Sequence, residues 1–459
     1  MAGGYDTIAA ISTPPGPGAI GVIRLSGPQA VGLAERYFKP LGHKGLRDYP
    51  ARRLIYGELL DSGGETIDRV LCAVSYGPSS YTGEDMAEFQ CHGSPAVLAL
   101  GLEALCTGGA RPAGPGEFTR RAFLNGKLDL AQAEAVGDLL EATSREGARH
   151  AAGQLAGVLS QRIGEIYSAL VDVMAHFHAV LDYPDEEIDP FRLEELSARL
   201  EVQERALDNL LSTCRRGRQL TQGISCALVG RPNVGKSSLL NALAGYERAI
   251  VTDIPGTTRD TVEVNVELGG LPLRLIDTAG LRDSEDPVER LGVERSRVAM
   301  EQAELILVLW DSSAQVTRED VELLERALEL APSILVWTKN DLPAAPVPVM
   351  EIPDSLRVVE LSARTGQGLD RLEQAVSALF PRENRVPYGQ ILTNQRQEDA
   401  ARRAQESVAR ARTALAQGVT PDALLTDVEE ALAALGELTG QSVREDITDR
   451  IFARFCVGK

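Results

Sequence analysis

Short extended runs of apolar residues dominate the first part of the chain, at residues 20–25, 54–60, 70–76 and 87–91. Glycine and proline turns separate these runs, and a helix-like segment follows at residues 97–106. The pattern predicts several strands accompanied by a helix. We therefore expect an N-terminal α+β domain over residues 1–125.

A different pattern begins at residue 128, where long segments rich in Ala, Leu, Glu and Arg place apolar residues three and four positions apart. This spacing predicts amphipathic helices up to residue 220, with breaks near the prolines Pro184 and Pro190. A similar composition returns in three later segments, at residues 394–416, 421–438 and 443–455.

The simplest interpretation is one helical domain that an inserted domain interrupts. An exposed loop tolerates an insertion when the ends of the guest domain lie close together. On this interpretation the helical domain has two parts, 126–220 and 382–459, and the guest is an α/β domain at 221–381. Two independent helical pieces are the alternative.

Length, composition and charge narrow the class of protein. The chain has 459 residues, of which 44% are hydrophobic and 25% charged, as in a globular protein of roughly three domains. No run of 18 apolar residues occurs, and the six cysteines are scattered without a C-x-x-C pair. These features predict a soluble cytoplasmic protein without a membrane partner. The formal charge of -19 argues against non-specific adhesion to nucleic acid, so an RNA partner would need a local basic patch.

A phosphate-binding loop is the clearest chemical motif. Residues 230–237 match G-x-x-x-x-G-K-[ST] between an apolar strand at 224–229 and a predicted helix at 238–243. In this context backbone N–H groups surround the β-phosphate, Lys236 neutralises phosphate oxygens as a catalytic cation, and the Ser237 hydroxyl ligates Mg²⁺. The nucleotide contacts expected here are Asn233, Val234, Gly235, Lys236, Ser237 and Ser238.

Two later motifs are expected to close on the γ-phosphate. Thr258 can complete the magnesium shell, Asp277 can hold that shell, and Gly280 can offer its backbone N–H to the γ-phosphate as a catalytic group. Between them, two strands joined by a Gly-Gly link predict an antiparallel hairpin. The nucleotide contacts expected from these motifs are Thr252, Asp253, Ile254, Pro255, Gly256, Thr257, Thr258, Asp277, Thr278, Ala279 and Gly280.

The motif Thr338-Lys339-Asn340-Asp341 follows an apolar strand at 334–337 and predicts guanine recognition. The Asp341 carboxylate can accept two hydrogen bonds from the guanine edge, at roughly 1.5 to 3 kcal/mol each, whereas adenine would leave it partly unpaired. Ser362 and Ala363 are expected to support the base with a backbone N–H. Thr338 stands where many GTPases have Asn, which we expect to weaken the anchor of this loop.

The group that assists hydrolysis lies outside these motifs. Leu281 follows Gly280 where many GTPases place a glutamine that orients water, and leucine cannot do this. The acidic candidates Glu285, Asp286 and Glu289 could each equally be a solvated residue at the start of a helix.

The motifs also contain no obvious arginine finger, so another cation is expected beside the β- and γ-phosphates. The amide oxygen of Asn233, the carbonyl oxygens of Thr252 and Ile254, and Thr257 can coordinate K⁺. This predicts potassium-dependent hydrolysis with pairing of G domains. The alternative is that Asn233 only shapes the backbone of the phosphate-binding loop.

Several segments together resemble one family, the tRNA-modification GTPases called MnmE or TrmE. The resemblance covers essentially the whole chain. The block at 116–129 and the C-terminal residues 455–459 are more specific than any GTPase motif, and segments 21–27 and 81–85 add to them.

The resemblance implies an N-terminal domain that binds a tetrahydrofolate derivative (5-formyl- or methylene-tetrahydrofolate), a split helical domain, and a homodimer. It also implies a hetero-oligomer with an FAD-carrying protein of the MnmG type. Together the two proteins would install an aminomethyl-type group on carbon five of the wobble uridine of tRNA. If each folate-binding residue of the family is transferred to the matching position of this chain, the folate contacts would be Arg24, Glu84, Lys127 and Lys459. Cys456 would lie nearby with an uncertain role, and Glu289 would act in GTP hydrolysis.

Two alternatives stay open at this stage. Arg24 and Lys127 can hold the carboxylates of a folate while Glu84 pairs with the N–H edge of the pterin, but a surface ion pair would also explain a lone Arg or Lys. The second alternative is a ribosome-assembly GTPase that acts as an RNA-binding switch without covalent chemistry.

Overall fold

The computed structural model describes residues 6–42, 44–182, 193–245, 264–276, 297–346, 353, 356–380, 387–418, 421–441, 451 and 455–458. The chain divides into two compact units, each of which is described by itself. The first unit contains residues 1–137, 163–167 and 432–459, and the second contains residues 138–162 and 168–431.

A seven-stranded sheet forms the centre of the first unit, in the order β3-β4-β5-β6-β2-β1-β7. Neighbouring strands are antiparallel, except that β1 and β7 run parallel. The strands are β1 (Ile8–Ile11), β2 (Gly18–Ser26), β3 (Phe38–Pro40), β4 (Ile55–Leu60), β5 (Thr66–Ser75), β6 (Met86–Gly93) and β7 (Arg111–Pro112).

The helices α1 (Ala30–Tyr37), α2 (Pro95–Thr107) and α3 (Glu117–Leu124) contribute buried residues to the core on this sheet. Helix α4 (Leu130–Glu141) follows α3 in the chain. Helix α2 lies close to β2, where a Cβ on Gly21 would come within 2.5 Å of the side chain of Leu98. The glycine therefore lets the helix approach the sheet, and Ile23, Leu25 and Phe89 are fully buried beneath it.

The sequence predicted four of these strands and helix α2 with small errors at their ends. It missed β1, β3 and β7, since strands of two to four residues are too short to show a pattern. It also missed α3, which begins after Gly116 with a φ of 63° and lies inside the block recognised only by family resemblance.

Helices α5 (Arg145–Leu155), α6 (Val158–Asp182), α7 (Leu193–Ser212) and α8 (Cys214–Gln222) precede the inserted domain. The side chain of Ser144 accepts a hydrogen bond from the Gly147 N–H and so caps the start of α5. The predicted breaks near Pro184 and Pro190 fall outside the described residues. Among the described helices, none is long and apolar enough to cross a membrane.

The inserted domain is an α/β domain with a six-stranded sheet in the order β13-β12-β11-β8-β10-β9. All neighbours are parallel except the β9–β10 hairpin, whose Gly269-Gly270 link was predicted correctly. The strands are β8 (Ile224–Val229), β9 (Val264–Leu268), β10 (Leu271–Ile276), β11 (Leu305–Asp311), β12 (Ser333–Thr338) and β13 (Arg357–Glu360). The helices are α9 (Lys236–Gly245), α10 (Arg318–Leu330) and α11 (Leu369–Leu379).

After the inserted domain the chain returns to the helices through residues 387–394 and continues as α12 (Gln395–Ala416) and α13 (Pro421–Thr439). Helix α12 lies against α7, where Arg412 pairs with Glu204 at 2.6 Å. Helices on either side of the insertion therefore pack together, which favours one interrupted helical domain over two independent pieces. The boundaries 125/126, 220/221 and 381/382 stay a prediction.

The return segment contacts the backbone of α8 directly. A Cβ on Gly217 would lie 1.8 Å from the carbonyl oxygen of Leu392, and the Leu392 N–H donates to the Thr213 hydroxyl at 3.1 Å. The amide of Gln154 on α5 donates to the carbonyl of Ile391 from the other side. No side chain fits between Gly217 and the segment.

We expect Gly217→Ala to lower the free energy of unfolding by about 2 kcal/mol or more, because the clash is with backbone that cannot rotate away. Gly164→Ala in α6 is the matched control, since no atom lies within 4 Å of its Cβ position. Alanine there should leave stability unchanged or raise it by up to about 1 kcal/mol. Urea titrations followed by circular dichroism compare the two, and equal stabilities would show that the return segment does not lie this close.

Candidate functional site

The phosphate-binding loop connects the end of β8 to the start of α9 at the carboxyl edge of the parallel sheet. Its backbone takes conformations that side chains disfavour, with φ of 154° at Gly230, 62° at Asn233 and 99° at Gly235. A Cβ on Gly230 would lie 2.5 Å from the Leu309 carbonyl oxygen. The loop therefore lies against β11 and leads into a helix N-terminus, where backbone N–H groups can receive an anion.

Lys236, the first residue of α9, folds back over this loop. Its Nζ donates to the carbonyl oxygens of Gly230 at 2.6 Å and Arg231 at 2.9 Å. Burial lowers the pKa of Lys236 from its ordinary value. The ammonium group is thus held at the loop by two neutral acceptors, in the place where phosphate oxygens would stabilise its charge.

Thr338, at the end of β12, ties the base-recognition motif to the phosphate-binding loop. Its hydroxyl lies 2.5 Å from the carbonyl oxygen of Val234 and 3.0 Å from that of Trp310, and the residue is buried. The hydroxyl thus lies between the phosphate-binding loop and β11, and the expectation that threonine makes a weaker anchor than asparagine stays a prediction. A short β-branched side chain has few rotamers to lose when it makes this contact.

Asp341 and Lys339 follow Thr338 and are held by neighbouring side chains. The buried Ser362 donates its hydroxyl to Asp341 Oδ1 at 2.7 Å, and Lys339 pairs with Asp311 Oδ2 at 2.7 Å. Burial alone would raise the pKa of Asp311, but the hydrogen bonds from Lys339 and Ser313 hold it below its ordinary value. Both functional charges therefore have fixed positions on the loops that follow parallel strands.

The expected role of Ser362 needs a correction. Its backbone N–H donates to the carbonyl of Gln367 at 2.9 Å, so it is not free to support a base. Its hydroxyl supports the Asp341 carboxylate instead, and any backbone N–H offered to the base from this loop would come from Ala363. The sequence pattern did not distinguish the backbone N–H of Ser362 from that of Ala363.

Within the described residues, Asn233 is exposed and Ser237 is partly buried at the same loop. The remaining predicted nucleotide, magnesium, potassium and catalytic residues lie outside the described residues. They are Thr252, Asp253, Ile254, Pro255, Gly256, Thr257, Thr258, Asp277, Thr278, Ala279, Gly280 and Glu289. The described part of the chain holds no cluster of three His, Cys, Asp or Glu residues that could bind a metal alone.

A second group of predicted residues lies in the first unit, around β2. Arg24 pairs with Glu88 on β6 at 2.7 Å, and its guanidinium carbon lies 5.7 Å from the ring centroids of both Tyr81 and Phe118. The Arg24 side chain is 18% exposed. Arg24 therefore makes the ion pair that was the alternative interpretation, and its guanidinium group also lies near two aromatic rings.

The C-terminal residues meet this group. Val457 forms an isolated antiparallel bridge with Pro115, and the Gly458 carbonyl accepts a hydrogen bond from Ser12 at 2.9 Å and from Arg24 at 3.5 Å. Cys456 is exposed beside them. Lys459 lies outside the described residues. The structure thus places the C-terminal residues beside Arg24, as the resemblance implied for this region.

The side chain of Lys127 packs against Gly83, the residue before Glu84. A Cβ on Gly83, whose φ is 80°, would lie 3.4 Å from Cγ of Lys127, so the aliphatic part of this exposed lysine covers the glycine. Asn125 donates to the carbonyl of Thr82 at 2.7 Å and fixes this loop. Lys127 therefore contacts the loop at 81–84, which contains Glu84, and Arg24 lies beside the Tyr81 ring of the same loop.

Sequence reasoning missed the buried partners of Glu84. Its Oε2 accepts hydrogen bonds from the Ser26 hydroxyl at 2.6 Å and from Arg121 at 3.0 Å. Arg121 stands in the 116–129 block, but only the strand and helix packing reveals which acid it meets. A signal was present in the alternation of β2, because Arg24 and Ser26 share one face of that strand.

Comparisons with known proteins cover nearly the whole chain. The family model described as GTP-binding protein TrmE N-terminus matches residues 7–127, and the model described as MnmE helical domain matches residues 130–456. A tRNA modification GTPase MnmE of Chloroflexus aurantiacus is 44% identical over 457 residues, covering 99% of this chain and 100% of that protein. The protein of the same name from Thermus thermophilus is 46% identical over 456 residues, covering 99% of each.

One solved structure, the G domain of the FeoB iron transporter of T. maritima, is 27% identical with a TM-score of 0.25. The match covers 34% of this chain and 97% of the chain in that structure.

We expect Asp341→Asn to weaken GTP binding by about 100-fold and to favour xanthosine nucleotides, because the amide exchanges the acceptor for a donor at one position. Titration with GTP and with XTP measures both affinities. Asp370→Asn, at an exposed acid on the neighbouring helix α11, is the control and should change neither. Unchanged GTP affinity in Asp341→Asn would remove this residue from the base site.

Proposed function

The chain belongs to the MnmE family of tRNA-modification GTPases, and from this premise we propose a fuller activity. The protein is a GTP hydrolase of tRNA modification. We propose that its hydrolysis depends on potassium, and that with an FAD-carrying partner of the MnmG type it installs an aminomethyl-type group at carbon five of the wobble uridine. The one-carbon unit would come from a tetrahydrofolate derivative, either 5-formyl- or methylene-tetrahydrofolate.

The observation that supports the folate proposal is that Arg24 and Lys127 both lie against the loop at 81–84, which contains Glu84, while the Gly458 carbonyl accepts a hydrogen bond from Arg24. Two cations and one acid of this kind fit a folate, which carries carboxylates at one end and a pterin with an N–H edge at the other. The exposed faces of Lys127 and of Tyr81 border the same loop, and Tyr81 is 37% exposed. A planar ring system could lie against that aromatic face.

In this proposal Arg24, Lys127 and Lys459 bind carboxylates, while Glu84 accepts a hydrogen bond from the pterin. The bound folate would supply a one-carbon unit at the oxidation level of its substituent. The chain's own residues hold and orient the cofactor, and no acid or base for the transfer is assigned among them. Cys456, exposed beside the site, keeps an uncertain role.

For GTP hydrolysis we propose that Lys236 and the backbone N–H of Gly280 stabilise charge on the phosphates, and that Ser237 and Thr258 hold Mg²⁺. Asn233, Thr252, Ile254 and Thr257 would hold K⁺ in the position of an arginine finger, and Glu289 would orient the attacking water. Asp341, with Ser362 behind it, would select guanine. The family relationship and the geometry of the loop around Lys236 support these assignments.

We further propose a cytoplasmic homodimer that assembles with the FAD protein and binds tRNA. At a net charge of -19, the chain repels polyanions at long range, so tRNA recognition would require a local basic surface or the partner protein. Membership of a family whose relatives are called tRNA modification GTPases supports this proposal over a ribosome-assembly GTPase.

We expect Arg24→Ala and Lys127→Ala each to weaken binding of 5-formyltetrahydrofolate by at least about tenfold, because each removes one charge-assisted contact. GTP turnover should stay within about twofold of wild type, since the G domain keeps all its residues. Arg69→Ala, at an exposed arginine on β5 of the same sheet, is the control. Calorimetric titration measures the affinities, and full binding by both variants would contradict the residue assignment.

Exchanging potassium for sodium at constant ionic strength should lower GTP turnover at least tenfold, or about 1.4 kcal/mol of barrier. The reason is that the ion would replace a guanidinium group worth about three to five orders of magnitude in rate. Asn233→Ala should retain nucleotide but lose the response to potassium. Equal rates in the two salts would contradict the proposal and leave Asn233 as a residue that shapes the loop backbone.

A further inference from the structure

Arg121 is a buried guanidinium group beneath the proposed folate site. It stands on α3 with a side chain only 5% exposed, so it cannot itself contact a ligand in solution. Three carboxylates surround it, those of Asp6, Glu84 and Glu117. A buried guanidinium keeps its charge only when acceptors replace the lost water, and this one has them on both of its terminal nitrogens.

The two terminal nitrogens of Arg121 have different partners. Nη1 donates to Glu84 Oε2 at 3.0 Å and Oε1 at 3.3 Å, and to the backbone carbonyl of Asp6 at 2.8 Å. Nη2 donates to Asp6 Oδ1 at 2.8 Å and Glu117 Oε1 at 3.0 Å. Burial alone would lower the pKa of Arg121, but the bonds to Glu84 and Glu117 raise it. The planar group is therefore fixed in orientation by contacts on both sides.

The two carboxylate oxygens of Glu84 differ in the hydrogen bonds that they accept. Oε2 accepts both the Ser26 hydroxyl at 2.6 Å and the shorter Arg121 bond at 3.0 Å, whereas among the described residues Oε1 accepts the longer Arg121 bond at 3.3 Å. The Glu84 side chain is 11% exposed. Since a carboxylate oxygen can accept two hydrogen bonds, Oε1 retains capacity for a donor from a ligand.

We propose that Arg121, assisted by Ser26, is a positioning residue that fixes the Glu84 carboxylate so that Oε1 receives the N–H edge of the pterin. This inference rests on the proposed folate function. A free glutamate side chain has several rotamers, and its ordering would oppose ligand binding. Arg121 and Ser26 supply that ordering before the ligand arrives, which is the basis of tighter binding by a preorganised site.

Arg111 provides a matched control within the same cluster. It pairs with Asp6 at 2.6 Å and with Glu117 at 2.6 Å, and its side chain is 47% exposed. Within the described part of the chain its hydrogen bonds go to these two acids and to Pro112, and not to Glu84. Replacement of Arg111 thus perturbs the acids that it shares with Arg121 and leaves the support of Glu84 in place.

The experiment measures binding of 5-formyltetrahydrofolate to the full chain by calorimetric titration, with GTP turnover as a check on the G domain. Arg121→Lys keeps the charge but loses the planar fork, and should weaken folate binding at least tenfold. Arg111→Met should change it less than twofold. In a protein that already carries Glu84→Gln, Arg121→Lys should weaken folate binding by less than a further twofold, because the carboxylate that Arg121 positions has already been replaced.

Ser26→Ala offers a second test where Arg121→Lys does not yield folded protein, and should weaken folate binding about fivefold by removing one hydrogen bond to Glu84. If wild type binds folate but Arg121→Lys and Ser26→Ala bind it equally well, the positioning role is wrong and the folate function stands. The positioning role would also be wrong if Arg121→Lys and Glu84→Gln weakened folate binding additively, or if Arg111→Met weakened it as much as Arg121→Lys does. Either result would indicate a general structural effect. Absence of folate binding by wild type would overturn both proposals.

Discussion

The second unit depends on the backbone contact between the segment 387–394 and helices α5 and α8. At this contact each helix presents a glycine, because a Cβ on Gly153 would lie 2.6 Å from the Tyr388 carbonyl and one on Gly217 still closer to Leu392. Residue 389 is itself a glycine with a φ of 93°. The chain enters the α/β domain directly from α8 and returns against the same helix, as expected of an exposed site that tolerates an insertion.

In the first unit the arginines Arg111 and Arg121 are held among the acids Asp6, Glu84 and Glu117, next to the loop at 81–84. Burial of a charge is costly unless it is paired, and Arg121 is paired with Asp6, which precedes β1, with Glu84, and with Glu117 of its own helix. Asp6 and Glu84 are distant from Arg121 in the sequence, so these two pairings depend on the fold and not on neighbouring residues.

What the sequence could predict follows from the range of each interaction. The phosphate-binding loop and the Gly269-Gly270 hairpin are local, since neighbouring residues dictate the turn, and both were predicted correctly. The short strand β7 and the ion pair between Arg121 and Glu84 depend on partners more than 35 residues away. Family resemblance identified the block that contains Arg121, but resemblance carries roles only for residues already assigned, so the supporting arginine was missed.

Small hydroxyl side chains support the charged groups in both sites. Ser362 donates to Asp341, Ser26 donates to Glu84, and Thr338 joins the base motif to the phosphate-binding loop. A hydroxyl donates a single hydrogen bond, so it fixes one oxygen of a carboxylate without neutralising its charge or filling its other lone pairs. A lysine in the same place would compete with the ligand for the carboxylate. Ser362 and Thr338 belong to recognised motifs, but the partner of each hydroxyl becomes visible only in the folded geometry.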